Sequence, residues 1–374
     1  MRILSCRYDE ALAHEAFQLR YKVFIEELGY VDEAADHTSR LFTDVLDRYS
    51  RIYVALDDDE RVVATARVLY FRDIDALSVI PESLLAGYQI EQYYPQFANG
   101  LAFSTKFVVA KEYRGSLVAN LITSNMFADL YHDEIVFVLS SCGPSLIDLY
   151  HHLGFHFYAP PEIDANGLYF PIVLAVRDSD YLDYICSPFR KILRKYAPQP
   201  IGESSVTWFY ETFGSDLDQY VTVVDKIAIE DVLEKTKSLA AAGNYTIFTD
   251  FRDDDVRRIA SACLVMKVLA GQTFIAKNQQ EDDLYLIIKG TINVSFGSSL
   301  GSMQVSAGEI IGIIDYFSGR RMTQCTAVTE CTMIIIPQFL IYQFTKRDPA
   351  LANAIHVNLG KSLALQFKRL TTAA

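Results

Sequence analysis

Long apolar runs are absent from this sequence. No stretch of its 374 residues approaches the ~18 consecutive apolar residues of a spanning helix, which argues against a helical channel or transporter. The opening, MRILSCRYDEALAHEAF, has no apolar run behind a basic end, so no secretory leader is expected there. Cysteine is sparse and scattered. Cys6, Cys142, Cys186, Cys263, Cys325 and Cys331 include no CxxC pair; reduced thiols in a cytoplasmic protein are expected, and no metal site. Positive charge is in deficit, with 34 Lys and Arg against 47 Asp and Glu, a net charge of −13. Such a chain is a poor general binder of nucleic acid or anionic membrane. Low-complexity tracts and internal repeats are also missing.

What is present is a folded composition, 51% apolar and 13% aromatic, in a chain too long for one ordinary core. Residues 1–180 mix periods. DEALAHEAFQLRYKVFIEEL has helical spacing, and RIYVALD and RVVATARVLYF read as a hairpin across DDDE. FSTKFVVA, EIVFVLSS and LYFPIVLAV read as strands, SLVANLITSNMFADLYH and PSLIDLYHHLGF as helices. Residues 181–245 read as a linker with helical pieces, one of them AIEDVLEKTKSLAAAG with Gly243 as its C-cap. Residues 246–374 turn to short strands between glycines, the pattern of an antiparallel barrel or jelly roll. The final helix carries Leu351, Ile355, Leu359, Leu363 and Phe367 on one stripe. That stripe packs on the barrel or pairs a homodimer.

The stretch EYRGSLVANLI joins a strand to a helix through Arg114-Gly115-Ser116. The start of a helix presents unpaired amides and a positive dipole end. Arg114 adds a charge, and Gly115 lets a phosphate approach the backbone. About 30 residues later come another strand and DLYHHLGFHFY. Strand, helix after Arg-Gly, strand, then LYxxLGF resembles the GNAT acyltransferases over residues 1–180. The resemblance implies an α/β (α+β) domain that binds an acyl-coenzyme A or acyl carrier protein thioester, with Lys106, Arg114, Gly115, Ser116 and Ala119 at the donor. Leu117 stands where a second glycine is usual.

LRYKVFIEELGY, ATARV and FSTKFVV resemble, within that fold, the autoinducer synthases and more closely the long-chain N-acyl amino acid synthases. Phe103 stands where autoinducer synthases have an acidic residue, which speaks against homoserine lactone chemistry. The implied reaction is attack of an amine or amino acid on a fatty acyl thioester. Arg20, Phe24 and Arg67 match the acceptor-binding positions. Tyr150 matches the proton donor to the leaving thiolate. The base stays open among Glu26, Glu27, Asp44 and Asp47, with His151 and His152 flanking the helix and Cys142 read as packing.

In the second half, DLYLIIKGTINVSF, AGEIIG and RRMTQCTAVTECTMIIIP resemble cyclic nucleotide-binding domains, with Gly271, Gly290 and Gly308 at the turns. The resemblance implies a cyclic nucleotide such as cyclic AMP as effector, held by Gly312, Asp315, Arg320 and Arg321. Ile313 replaces the ribose-binding glutamate, and Met322 replaces the Ser or Thr after the phosphate arginine. A regulated N-acyltransferase is therefore expected; an inactive acyl- and nucleotide-binding scaffold is the alternative.

Overall fold

The computed structural model describes residues 1–30, 32–74, 77–164, 167–195, 201–217, 219–223, 226–241, 246–277, 283–296, 301–319 and 321–373. Two compact units result. One comprises Met1–Cys142, Leu146–Pro160 and Phe170–Leu217; the other comprises Gly143–Ser145, Pro161–Tyr169 and Asp218–Ala374.

The first unit is built on a mixed sheet. Its strands are β1 (Arg2–Cys6), β2 (Ser50–Leu56), β3 (Val62–Tyr70), β4 (Leu101–Val109), β5 (Phe137–Cys142), β6 (His156–Phe157) and β7 (Gly167–Ala175). They lie in the order β1-β2-β3-β4-β5-β7-β6. β2 and β3 form the expected hairpin, Ser50 facing Leu69 and Val54 facing Thr65. β4 and β5 are parallel neighbours, which requires a crossover. Helix α2 (Val118–His132) supplies it. On one face, helix α1 (Ala11–Arg20) buries Ala13, Ala16 and Phe17 against Ile52, Val54 and Leu56. α1 runs on into a π-helix, Tyr21–Glu27, a wide turn that helical periodicity does not announce. Helix α3 (Ile147–Leu153) closes on Gly154 at φ +112°. A Cβ there would lie 2.2 Å from Leu182 Cδ2, so glycine is required for both conformation and space.

The segment expected as a linker is mostly helical, and its residues through Leu217 group with the first unit. The reason is aromatic. Helix α4 (Ile201–Phe213) sets Trp208 4.8 Å from Phe97 and Phe213 5.1 Å from Tyr93, centroid to centroid. Such contacts outweigh the loop character that three prolines suggest. Gly243 lies outside the described residues.

The second unit is an antiparallel sandwich with flanking helices, the all-β architecture expected. Its strands are β8 (Val221–Val223), β9 (Leu264–Val268), β10 (Thr273–Ile275), β11 (Leu284–Lys289), β12 (Thr291–Ser295), β13 (Ser302–Ser306), β14 (Ile310–Ile311), β15 (Gln324–Ala327) and β16 (Cys331–Ile336). The two sheets are ordered β8-β9-β16-β11-β14 and β10-β15-β12-β13. A short helix, α5 (Ile313–Ser318), follows β14, and a long one, α6 (Pro349–Ala373), ends the chain. The stripe of α6 serves this unit's own core: Leu351, Ile355 and Leu359 are buried with Leu284, Ile334 and Ile336. Phe367 remains exposed. No described helix is long and apolar enough to cross a membrane.

Candidate acyl-transfer site

β4 and β5 pair only at Leu101–Phe137, Ala102–Val138 and Phe103–Leu139. Beyond those pairs both strands continue, but their ladder stops. The sheet is open there, next to a bulge in β4. Thr65 faces Val108 and Arg67 faces Thr105, so Ala66 alone spans Lys106 and Phe107. Lys106 has φ +55°, a left-handed conformation that a lysine adopts only under local constraint. The bulge re-aims the side chains. Thr105 and Lys106 both meet the Arg67–Asp44 pair, whereas Ser104 and Phe107 line a recess.

The Arg67 side of the opening is a buried charge cluster that brings together five of the residues expected to act. Arg20 Nη1 donates to Asp47 Oδ1 at 2.7 Å, with both side chains fully buried. Arg67 pairs with Asp44 and, at 3.3 Å, with Asp47 Oδ2, and its Nε donates to Thr105 Oγ1 at 2.9 Å. Lys106 Nζ lies 3.9 Å from Asp44 Oδ2. Asp44 and Asp47 also form a reciprocal capping box at Val45–Tyr49, which fixes their carboxylates. Phe24 and Phe42 floor the cluster, with Lys106 Nζ 5.7 Å and 3.6 Å from their ring centres.

Burial lowers the Lys106 ammonium, with help from Arg67 and against the pull of Asp44, to about 8. Asp44 is held below its ordinary value: burial opposes this, but the charge and hydrogen bond of Arg67 prevail. Asp44 is thus a committed partner for cations. Arg20 carries the unsolved balance. Its Nε and Nη2 are buried with no hydrogen-bond partner among the described residues. Orphan donors of this kind cost about 1–3 kcal/mol each.

Across the opening, α2 and α3 bound a small apolar recess of about 40 Å³, partly open to solvent. Met126, Phe127, Leu130, Leu153 and Phe155 line it, together with Ser104 and Tyr150. Ser140 Oγ donates to Ser104 O at 2.7 Å and neighbours the Tyr150 phenol. Burial pushes the phenol well above its ordinary value, Cys142 adds to this, and Ser140 opposes it. Tyr150 therefore stays protonated, a donor facing the recess. Ser140 was not foreseen; a lone serine inside VLSSC carries no sequence signal. Cys142 is fully buried and its thiol is pushed up by burial alone, which fits packing rather than nucleophilic attack.

The turn before α2 has the expected backbone. Gly115 sits at φ +76° with nothing within 4 Å of where a Cβ would stand. The first amides of α2 lack intrahelical partners, and that of Val118 donates to Ser116 Oγ at 3.3 Å. Leu117 is 71% exposed and does not plug the turn. Ser116 Oγ turns back to Tyr113 O at 2.6 Å. Arg114 is occupied, donating to Val109 O and to Glu27, and Glu26 pairs with Arg40. Both glutamates thus hold arginines.

In the second unit, Gly312, Asp315 and Arg321 come together. Arg321 Nη1 lies 3.2 Å from Asp315 Oδ2, and Asp315 Oδ1 accepts from Met322 N at 2.7 Å. Ile313 is buried. Arg320 lies outside the described residues. Among the described residues, no group of three or more His, Cys, Asp or Glu could hold a metal ion.

Residues 19–124 match the acetyltransferase (GNAT) domain model, and residues 265–348 match the cyclic nucleotide-binding domain model. No curated protein matches the chain. Among solved structures, the chain is similar to a cyclic nucleotide-binding domain from Methylobacillus flagellatus, at 23% identity over 41% of this chain and 86% of that one, TM-score 0.35. It is also similar to BjaI, a coenzyme A-dependent acyl-homoserine lactone synthase with SAM and isopentyl-CoA, at 14% identity over 51% and 97%, TM-score 0.38. TofI, in a ternary complex with an inhibitor and MTA, is similar at 15% identity over 51% and 100%, TM-score 0.37.

Proposed function

We propose that this chain, which carries a GNAT acyltransferase domain ahead of a cyclic nucleotide-binding domain, moves a fatty acyl group from a coenzyme A or acyl carrier protein thioester to the amine of an amino acid. The observation that carries this reading is the parted sheet. An apolar recess with a protonated phenol lies on one side of the β4–β5 opening and a charged cluster on the other. A thioester and a polar acceptor can then meet through the opening, each in surroundings suited to it.

The phosphate arm of the donor rests on the Ala119 and Asn120 amides in the first turn of α2, where Gly115 admits it and the exposed Leu117 does not obstruct it. The acyl tail enters beside Met126 and Leu130, and the recess, about 40 Å³ in this structure, widens to admit it. The acceptor nitrogen lies towards Lys106, the most exposed cation of the cluster, whose neutral form takes the proton. The nitrogen attacks the carbonyl carbon, the C–S bond breaks as the amide forms, and Tyr150 gives its proton to the departing sulfur. Water returns the proton from Lys106 to Tyr150.

The test is release of free thiol from long-chain acyl thioesters across a panel of amino acids, with mass spectrometry of lipids from cells that overproduce the protein. Wild type forms N-acyl products. Tyr150→Phe lowers turnover about 100-fold or more. No thiol release with any thioester or amine overturns the reading.

A further inference from the structure

Arg321 is the one buried cation among the described residues of the second unit. Its surroundings are built around it. Nη2 donates to Asp283 O at 2.9 Å, and the guanidinium lies 5.3 Å from the Tyr285 ring centre. Gly312 has φ +89°, and a Cβ there would stand 2.6 Å from Arg321 Nη1. A side chain at 312 would evict the guanidinium.

Asp315 completes this arrangement. One carboxylate oxygen meets the guanidinium and the other accepts the Met322 amide. A guanidinium and a backbone amide converging on two oxygens of one group form the donor set of an anion site. The group that fills it belongs to the chain. Arg321 is entirely buried and Asp315 almost so, so the pair is neutral as a unit. A phosphodiester brings one negative charge. With Asp315 in place it would meet a cation already neutralised and a carboxylate that repels it. The adjoining cavity is lined by Val294, Val305, Ile310 and Ile313 beside Asp315, Thr323 and Gln366, and the Gln366 amide is engaged, donating to Ile310 O at 2.7 Å.

We propose that the second unit contains a phosphate-anion site occupied from within by Asp315, so that the native chain does not retain cyclic nucleotides and becomes able to do so when that carboxylate is neutralised. The site differs from an empty one, because its donors are intact and pre-arranged. It also differs from a nucleotide site in which Asp315 would hold the ribose, because both oxygens of Asp315 already serve Arg321 and Met322. This inference concerns the second unit alone and does not depend on acyl transfer in the first.

The experiment is a thermal-shift and calorimetric titration of the full chain with cyclic AMP, cyclic GMP and inorganic phosphate, each to about 1 mM. The proteins are wild type, Asp315→Asn and the double variant Asp315→Asn/Arg321→Gln. Wild type shows no shift. Asp315→Asn binds at least one phosphate ligand at least about tenfold more tightly than wild type, the scale of one charge-assisted contact. The double variant loses that gain. Should Asp315→Asn be unfolded alone, phosphate restores its folded signal. Three results overturn the proposal: saturable binding of a cyclic nucleotide by wild type, a folded Asp315→Asn without any anion response, or a gain that survives in the double variant. Failure of phosphate to rescue an unfolded Asp315→Asn also overturns it.

Discussion

Lys106 concentrates two opposed demands on one side chain. Burial and Arg67 bring its ammonium down from 10.5 to about 8, so the folded chain binds fewer protons at this group than the unfolded chain does between those values. Stability from this group is therefore complete above pH 10.5 and is lost as pH falls to about 8. Lys106→Met removes that deficit. At pH 7 the variant is expected to be more stable than wild type by about 3 kcal/mol, and the difference should close as pH approaches 10.5, measured by denaturant unfolding across that range. Wild type is expected to show a kcat/KM that rises up to about pH 8, and the same variant to lose both acyl transfer and that rise. A variant less stable at pH 7, or one with an unchanged pH profile, would contradict the role given to Lys106. The identity of the cluster was legible residue by residue, since Arg20, Asp44, Asp47, Arg67 and Lys106 all stand in recognisable segments. Their division of labour was not. Asp44 and Asp47 are candidates for the base on chemistry alone, but the capping box and two arginines engage them. Spacing along a chain carries no information about which charges neutralise each other in space.

At the scale of elements, the site depends on a bulge, a π-helix and a helix start. Of these only the last was readable, because Arg-Gly-Ser before an apolar helical run has a local cause. The bulge at Lys106 and the π-helix Tyr21–Glu27 break the local periods of strand and helix, and no residue pattern along the chain marks either of them. Helix α2 makes a prediction of its own. Met126 faces the recess from its middle turn. Met126→Trp adds volume there, at a cost of about 1–3 kcal/mol in stability. Its substrate preference is expected to move to shorter acyl chains by about tenfold in the ratio of kcat/KM values, since one methylene in an apolar pocket is worth that much. Competition between two thioesters of different chain length measures the ratio. An unaltered ratio would place the tail elsewhere.

The whole molecule has two cores, one around the mixed sheet and one beneath α6. Calorimetric unfolding of the full chain is expected to depart from a single two-state transition. A long-chain acyl thioester should raise the transition of the first unit by mass action; one transition whose calorimetric and van't Hoff enthalpies agree would refute this. By itself, the sequence determined the two fold classes, the α2 turn and the roster of charged residues, because periodicity, glycine positions and side-chain chemistry act over a few residues. Tertiary structure alone decided that β4 and β5 part, that two donors of Arg20 find no partner among the described residues and that Asp315 fills the place beside Arg321. Those outcomes depend on distances of a few ångströms between residues far apart in the chain, and burial, which sets the strength of each charge interaction, exists only once the chain has closed around it.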